Sequence, residues 1–555
     1  MKRVSTLSAW LKLTVIPLAG LLAACGSSSD DDGTDTTTVT GSVTAAPVDG
    51  ASVVVRDTAG NTVAGPVTTA ADGTYTLHID NALLASDLLL ESSGGSYTDE
   101  ATGLGVTAGT LSAYVAGGSL SATARVHMTP ATTIVSDLVH SHGMSLSSAQ
   151  SAFESAFGFG ADTTEAPADA TNPPAGASDA QLLAGLRAAA FSQLTMDLGL
   201  TTAEQFDLLP ALAEDLAADG SLDGAGANGA VTVAGSTLLP ADIQNRFALA
   251  MEGFHASANN QTGLSNDKIG ALPFAKLALS SSYKVEYLPG MMAAMEGKTT
   301  FKLRVSNLAD DMAATGLSVS LMPMMHMTSG MMHGSPTGGC SVSATTAGEY
   351  DCSVYYLMGS SMSNGMSMGY WQLKVMIGGM MGESVTFSPA VMMAMGDTAK
   401  VTLRGQTDSD MIAGMAMDGG MAMPENRSYY LFKDSLSGMT GNHTLKLFVA
   451  AKESMMSYKA VSVGTVLNGG DASYELTVAS MDVDVSTDGS TWIAASDDGN
   501  GLWTAAGITG LTDGTAASVY VRLTVNGEQK TTNGLSPAGD GSNDYGAFTL
   551  TPGGM

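Results

Sequence analysis

The chain has 555 residues, with 53 acidic against 23 basic side chains and a formal net charge of −30. That length exceeds what one hydrophobic core supports, so several domains are expected. The acidic balance argues against a nucleic-acid partner, whose affinity comes from Lys and Arg neutralising phosphates. Abundant Gly, Ala, Ser and Thr point instead to an exported, loop-rich, mostly β protein.

At the N-terminus, Lys2, Arg3 and Lys12 precede an apolar stretch from Leu13 to Leu22, and Leu22-Ala23-Ala24-Cys25 follows. The apolar stretch is too short for a retained membrane span. The arrangement resembles a bacterial lipoprotein signal peptide with its lipobox. That resemblance implies a leader over 1–24, attachment of palmitate-type acyl chains at Cys25, and a lipid membrane as partner through the acylated cysteine. Gly26 in place of Asp favours, within the resemblance, the outer membrane, on its periplasmic face or at the cell surface. Residues 25–37 read as a polar, flexible tether.

Residues 38–105 alternate β-branched and polar residues, with turn signals at Pro47-Val48-Asp49-Gly50, Ala59-Gly60-Asn61 and Ala71-Asp72-Gly73. The pieces Thr40-Gly41-x-Val43, Pro47-Val48-x-Gly50-Ala51-x-Val53 and Asp72-Gly73-x-Tyr75 resemble the carboxypeptidase regulatory-like β-sandwich. Such modules are spacers or adhesive units, and no peptidase follows this one.

Residues 106–265 read as helical with an internal linker at 160–177. Thr129-Pro130-Ala131-Thr132-Thr133 opens a stretch with Ile134, Leu138 and Val139 at helical spacing. Ser178-Asp179 caps a run whose Leu182, Leu183, Leu186, Ala190 and Leu194 make an apolar stripe. The Asp219/Asp223 pair lacks the alternating acids and distal Glu of a calcium loop and reads as a helix-ending turn.

From about 280 the pattern is β again. A sandwich is expected over 280–385, a second methionine-rich β region over 386–465 and a C-terminal β domain over 470–555. Of 35 methionines, 28 lie between Met291 and Met456, so this segment has a local reason for them. Met322-x-Met324, Met325-x-Met327, Met366-x-Met368, Met393-x-Met395, Met415-x-Met417 and Met421-x-Met423 repeat one spacing, which in a strand puts both thioethers on one face. Thioether sulfur is a neutral, soft donor that suits Cu(I); imidazole suits Cu(II). His326 and His333 lie inside the densest cluster and His443 in the second methionine-rich stretch. The expected copper ligands are Met322, Met324, Met325, His326, Met327, Met331, Met332, His333, Met366, Met368, Met415, Met417, Met421 and Met423. Flanking Gly, Ser and Pro suggest a loop on which these donors exchange around a soft ion. Flexible core filling and an oxidant sink are the competing explanations.

Met322-Pro323-Met324, Gly348-Glu349-Tyr350, Met358 and Gly369-Tyr370-Trp371-Gln372-Leu373 resemble the YtkA/FixH-like domain, a small immunoglobulin-like sandwich of exported bacterial proteins. That family is associated with copper handling and oxidase assembly, which implies another copper-handling protein as partner. The sequence departs from the pattern by an insertion, "GSSMSNGMSM", between Met358 and Gly369. Cys340 and Cys352 flank a segment whose turn near Thr346 would set them opposite each other. In an exported protein a disulfide is the default, and a dithiol copper site is the alternative. Gly365-Met366-Ser367-Met368-Gly369 spells G-x-S-x-G, but a Gly/Ser/Met loop precedes it and a strand follows, unlike a hydrolase elbow. The expectation is therefore a mainly β, multidomain chain of immunoglobulin-like sandwiches with one inserted α-helical region. It would be a non-enzymatic, lipid-anchored Cu(I) buffer or carrier. The alternative is a cell-surface structural or adhesive lipoprotein whose methionines serve packing or oxidant protection.

Overall fold

A computed structural model describes residues 35–121, 123–269, 274–379, 381–406, 409–414 and 423–553. The leader, Cys25, Met415, Met417 and Met421 lie outside the described residues. The chain is mainly β and multidomain.

The first sandwich packs the strands Thr74–Asp80, Thr36–Ser42 and Thr123–Arg125 against a sheet of Thr62–Thr68, Ser52–Arg56, Leu88–Ser93 and Leu111–Val115. Alternation buries Val53 and Val55 on one strand and Tyr75, Leu77 and Ile79 on another. Gly41 is demanded here, because a Cβ would sit 1.7 Å from the Val126 carbonyl oxygen, which also accepts the Tyr75 hydroxyl at 2.6 Å. The sandwich runs to Arg125 rather than ending near 105, since its last two strands come from residues expected to be helical.

Five helices follow: α1 (Pro130–His140), α2 (Leu146–Phe157), α3 (Asp179–Asp197), α4 (Gln205–Asp219) and α5 (Ile243–Ala256). Thr129 and Thr132 form a capping box at α1. Thr132 also donates to the Ser112 carbonyl at 2.8 Å, and the Ser112 amide donates to Thr133 at 2.9 Å. The Thr-Pro-x-Thr-Thr motif thus fastens α1 to the sandwich, and one continuous core spans both regions. Ser178 caps α3, and Leu186, Ala190 and Leu194 are buried as their spacing predicts. The 160–177 linker packs against α3, burying Ala168 and Ala170. Gly185 admits it, as a Cβ there would lie 1.9 Å from the Ala168 carbonyl oxygen. Helix α4 ends at the left-handed Gly220, and Asp215, Asp219 and Asp223 accept backbone amides of the following turn.

The methionine-rich sandwich has one sheet ordered Leu277–Leu279, Tyr283–Pro289, Gly297–Asn307, Glu349–Tyr356, Thr337–Val342. The facing sheet is ordered Met332–Gly334, Val319–Met327, Gly369–Ile377, Glu383–Phe387. Cys340 and Cys352 are direct cross-strand partners joined by a disulfide, which rules out the dithiol metal site while they are oxidised. Replacing both cysteines by alanine is expected to lower the stability of this sandwich by about 2–3 kcal/mol in the chain-entropy account. Urea denaturation of the oxidised and variant proteins measures it.

Residues 397–553 form one unit rather than two. The strands Lys400–Arg404, Ser428–Met439 and Asn442–Lys452 share a sheet with Leu502–Ile508 and Ser496–Gly499. They pack through a single core on the sheet of Met481–Ser486, Ala517–Val525 and Gly546–Leu550. The boundary expected near 465–470 follows a drop in methionine content, not a break in packing. The unit's two ends interlock: the Thr398 amide donates to the Thr549 carbonyl at 2.9 Å and the Thr551 amide to Asp397 at 2.8 Å. At its centre Arg427 is fully buried. Its Nε lies 2.8 Å from Asp410, its Nη1 pairs with Glu453, and the buried Lys530 reaches Asp410 and Glu528, each at 2.7 Å.

Candidate metal centre

The register of the methionine-rich sandwich sends its methionine-bearing connections to one end. Gly297 pairs with Tyr356, so 290–296 and 357–368 meet there. Met327 pairs with Gly369 and Leu373 with Phe387, which adds 328–331 and 388–396. These connections carry Met291, Met292, Met295, Met331, Met358, Met362, Met366, Met368, Met392, Met393 and Met395. Backbone bonds tie them together: Ser360 to Val391 at 2.6 Å, Met392 to Ala294 at 2.8 Å, and Thr328 to Met368 at 3.1 Å. The Gly334 amide donates to the Met455 carbonyl at 2.8 Å, bringing in a methionine-bearing turn of the C-terminal unit. Among the described residues, the connections at the opposite end carry Met312 and Met381.

The densest cluster lies largely on the Val319–Met327 strand instead of a loop, so it divides between two faces. Met322, Met324 and His326 share the face turned away from the sandwich core, and register sets Met332 opposite His326. Met325 is fully buried in the core and Met327 packs against it. Met322, Met331, Met332 and Met366 are 40%, 44%, 47% and 60% exposed, open to a soluble ion. Met368 packs against the core, while Met366 sits beyond it on a turn, so this pair is not two same-face residues of a strand. Met423 is exposed.

The two histidines of the cluster have different surroundings. His326 stacks on Tyr370 with centroids 4.6 Å apart, and its Nε2 lies 3.0 Å from the Gln372 amide oxygen. That oxygen only accepts, so His326 is the donor. The Gln372 nitrogen donates to Glu252 of α5, whose other oxygen accepts Ser388 at 2.7 Å. Burial pushes the Glu252 carboxyl up to about 7 against the donors that favour its charge, and burial likewise lowers His326. His326 therefore serves the contact between the helical region and the sandwich.

His333 is 7% exposed. Its Nδ1 lies 2.7 Å from the Gly334 carbonyl oxygen and its Nε2 3.2 Å from the Met358 sulfur. The His333 and Trp371 rings are perpendicular with centroids 5.4 Å apart, and the Trp371 indole donates to the Met358 carbonyl at 3.1 Å. Met325 is the register partner of both His333 and Trp371. Burial first, then the charges of Lys400 and Lys452, lowers the His333 pKa, which favours neutral imidazole. The insertion after Met358 folds back on itself through a Ser361–Ser367 bridge, leaving Met358 beside the Trp371 strand.

Met358 and Trp371 are thus brought to His333, although neither was among the expected ligands. The signal was the spacing Met358…Gly369-x-Trp371 itself. His443 is held elsewhere by Asp513 at 2.8 Å. Ser367 of the G-x-S-x-G string precedes a strand and accepts the Gly369 amide at 3.2 Å. Among the described residues no three His, Cys, Asp or Glu side chains are grouped to hold a metal.

No family model and no curated protein matches the chain. Among solved structures, the three N-terminal domains of the bacteriophage RB49 highly immunogenic outer capsid protein align at 10% identity over 49% of this chain and 69% of that one, with a TM-score of 0.11. S. aureus TarS aligns at 10% identity over 59% and 58%, with a TM-score of 0.13. Likenesses this slight carry no argument.

Proposed function

We propose that the protein is an exported, lipid-anchored copper-binding protein, a Cu(I) buffer or carrier without catalytic activity, held at the outer membrane through Cys25. The observation that supports it is the gathering of methionine-bearing connections at one end of the sandwich. Core filling would not need exposed sulfurs there. Neutral thioethers bind a soft monovalent ion without a charge to balance, and imidazole extends the set toward Cu(II). The exposure of the same methionines also suits a reversible oxidant sink on a structural or adhesive lipoprotein, and metal stoichiometry separates the two readings.

Anaerobic titration against a Cu(I) chelator should show uptake of Cu(I) and poor uptake of zinc, which prefers His, Cys and carboxylate. Replacing Met322, Met324, Met325, Met327, Met331 and Met332 together by leucine conserves volume and should reduce the Cu(I) taken up. Unchanged stoichiometry and affinity would remove this cluster from the reading. Cys25→Ala should release the exported protein from washed membranes, and its retention there would overturn the lipid anchor.

A further inference from the structure

We propose that His333 and Met358 form a discrete, buried Cu(I) site, separate from the exposed thioethers, with Met325 as third donor and Trp371 against it. The proposal rests on the copper reading above and gives it a specific centre.

The argument begins with one proton. The Gly334 carbonyl only accepts, so the Nδ1 of His333 must carry the hydrogen of that 2.7 Å contact. In neutral imidazole Nε2 then presents a lone pair, and what it faces at 3.2 Å is the sulfur of Met358, another lone-pair donor. Two acceptors aimed at one another inside a protein gain nothing from each other, and the contact takes the place of a hydrogen bond that a buried ring nitrogen normally makes. A soft cation between them turns the opposition into coordination. The bond from the far ring nitrogen to a backbone carbonyl is the usual support for a metal-bound histidine, because it fixes tautomer and ring orientation.

The third donor follows from register. Met325 stands directly across from His333, and directly opposed residues have Cβ atoms about 4.5–5.5 Å apart. An unbranched thioether reaches across that gap and adjusts as an ion enters. The fully buried Trp371 ring, its centroid 5.4 Å from that of the imidazole, keeps water from the pair.

The fold holds the two principal donors on one antiparallel zipper. From the Cys340–Cys352 disulfide the paired strands run to Pro336, whose carbonyl accepts the Tyr355 amide at 2.9 Å, and then to Ser335, whose hydroxyl accepts the Leu357 amide at 2.9 Å. The next residues outward on the two arms lead to His333 and Met358. The exposed Met331 and Met332 immediately precede His333, so weak surface donors lie next to the buried pair.

The test uses Cu(I) itself, added anaerobically to the full chain in chelator competition, with tryptophan emission followed throughout. The first equivalent should bind more tightly than later ones and change the emission, and Trp371→Phe should abolish that response. Copper absorption-edge spectroscopy of the one-equivalent sample should show one imidazole nitrogen with sulfur neighbours. Met358→Leu, which conserves volume, should weaken the first equivalent by at least about 10-fold and leave later equivalents unchanged. If it leaves the first equivalent unchanged while copper still binds, or the spectrum shows sulfur alone, the discrete site is wrong and the surface methionines account for binding. If the wild-type chain takes up no Cu(I), the copper reading falls together with it.

Discussion

Asp410→Ala is expected to destabilise the 397–553 unit by about 3–5 kcal/mol, the range for removing one partner of a buried ion pair. Its two carboxylate oxygens accept from Arg427 at 2.8 Å, from Lys530 at 2.7 Å and from the Tyr429 hydroxyl at 2.7 Å. Arg427 and Lys530 are almost wholly buried, so deletion removes one of two carboxylate partners from each of two cations held away from water. Glu453 and Glu528 remain, but neither occupies the position between them. By contrast Lys433→Met, which removes a partly exposed pair with Asp397, should change stability by no more than about 1 kcal/mol. Urea denaturation of both variants makes the comparison, and an Asp410 effect as small as that of Lys433 would refute the argument. The local consequence is chemical as well. Asp410 and Arg427 flank the paired segments Met411–Ile412 and Glu425–Asn426, so the same ions set the base from which Met423 projects.

The contact between helix α5 and the methionine-rich sandwich should weaken as pH rises from about 4.5 to about 7. Glu252 has an ordinary value of 4.5 and is pushed up to about 7 by burial. Between those values the folded state binds the proton that the unfolded state has lost, so stability falls with rising pH. Below the window both states are protonated and nothing is lost; above it the full penalty is present. The shift, already net of the Gln372 and Ser388 donors, corresponds to roughly 3 kcal/mol at most. Glu252→Gln keeps the shape and removes the titration, so its stability should vary less across this window. Hydrogen exchange of α5 amides at pH 5 and pH 8 in both proteins provides the measurement. Equal pH dependence in the two would show that the carboxyl does not govern this contact.

Much of the architecture was legible because local rules and tertiary packing agree. Ser178 and Thr129 cap helices where the sequence places them, and Cys340 and Cys352 face each other across a hairpin as their spacing suggests. Boundaries were less legible. The strands Leu111–Val115 and Thr123–Arg125 are short, and pairing with distant partners defines them more than their own composition. The break near 465–470 was misplaced because methionine content drops there while one core joins both sides of it. At the site, the i, i+2 spacing correctly put Met322 with Met324 and Met325 with Met327 on common faces. Periodicity alone could not say which face meets the core. It also could not separate His326 from His333, whose difference arises from Gln372 and Glu252 on one side and Met358 on the other.

The interlocked ends of the 397–553 unit bear on when it can fold as the chain emerges during synthesis. Residues 397–404 find Thr549 and Thr551 only after nearly the whole unit has been delivered, and closure of that long loop must precede the contacts that reward it. Until the Gly546–Leu550 strand arrives, Ala517–Val525 lacks one of its neighbours and Val401 lacks the chain that packs at Gly546. A chain stalled before its last residues emerge would therefore present an open, apolar sheet edge, a natural target for chaperone capture or proteolysis.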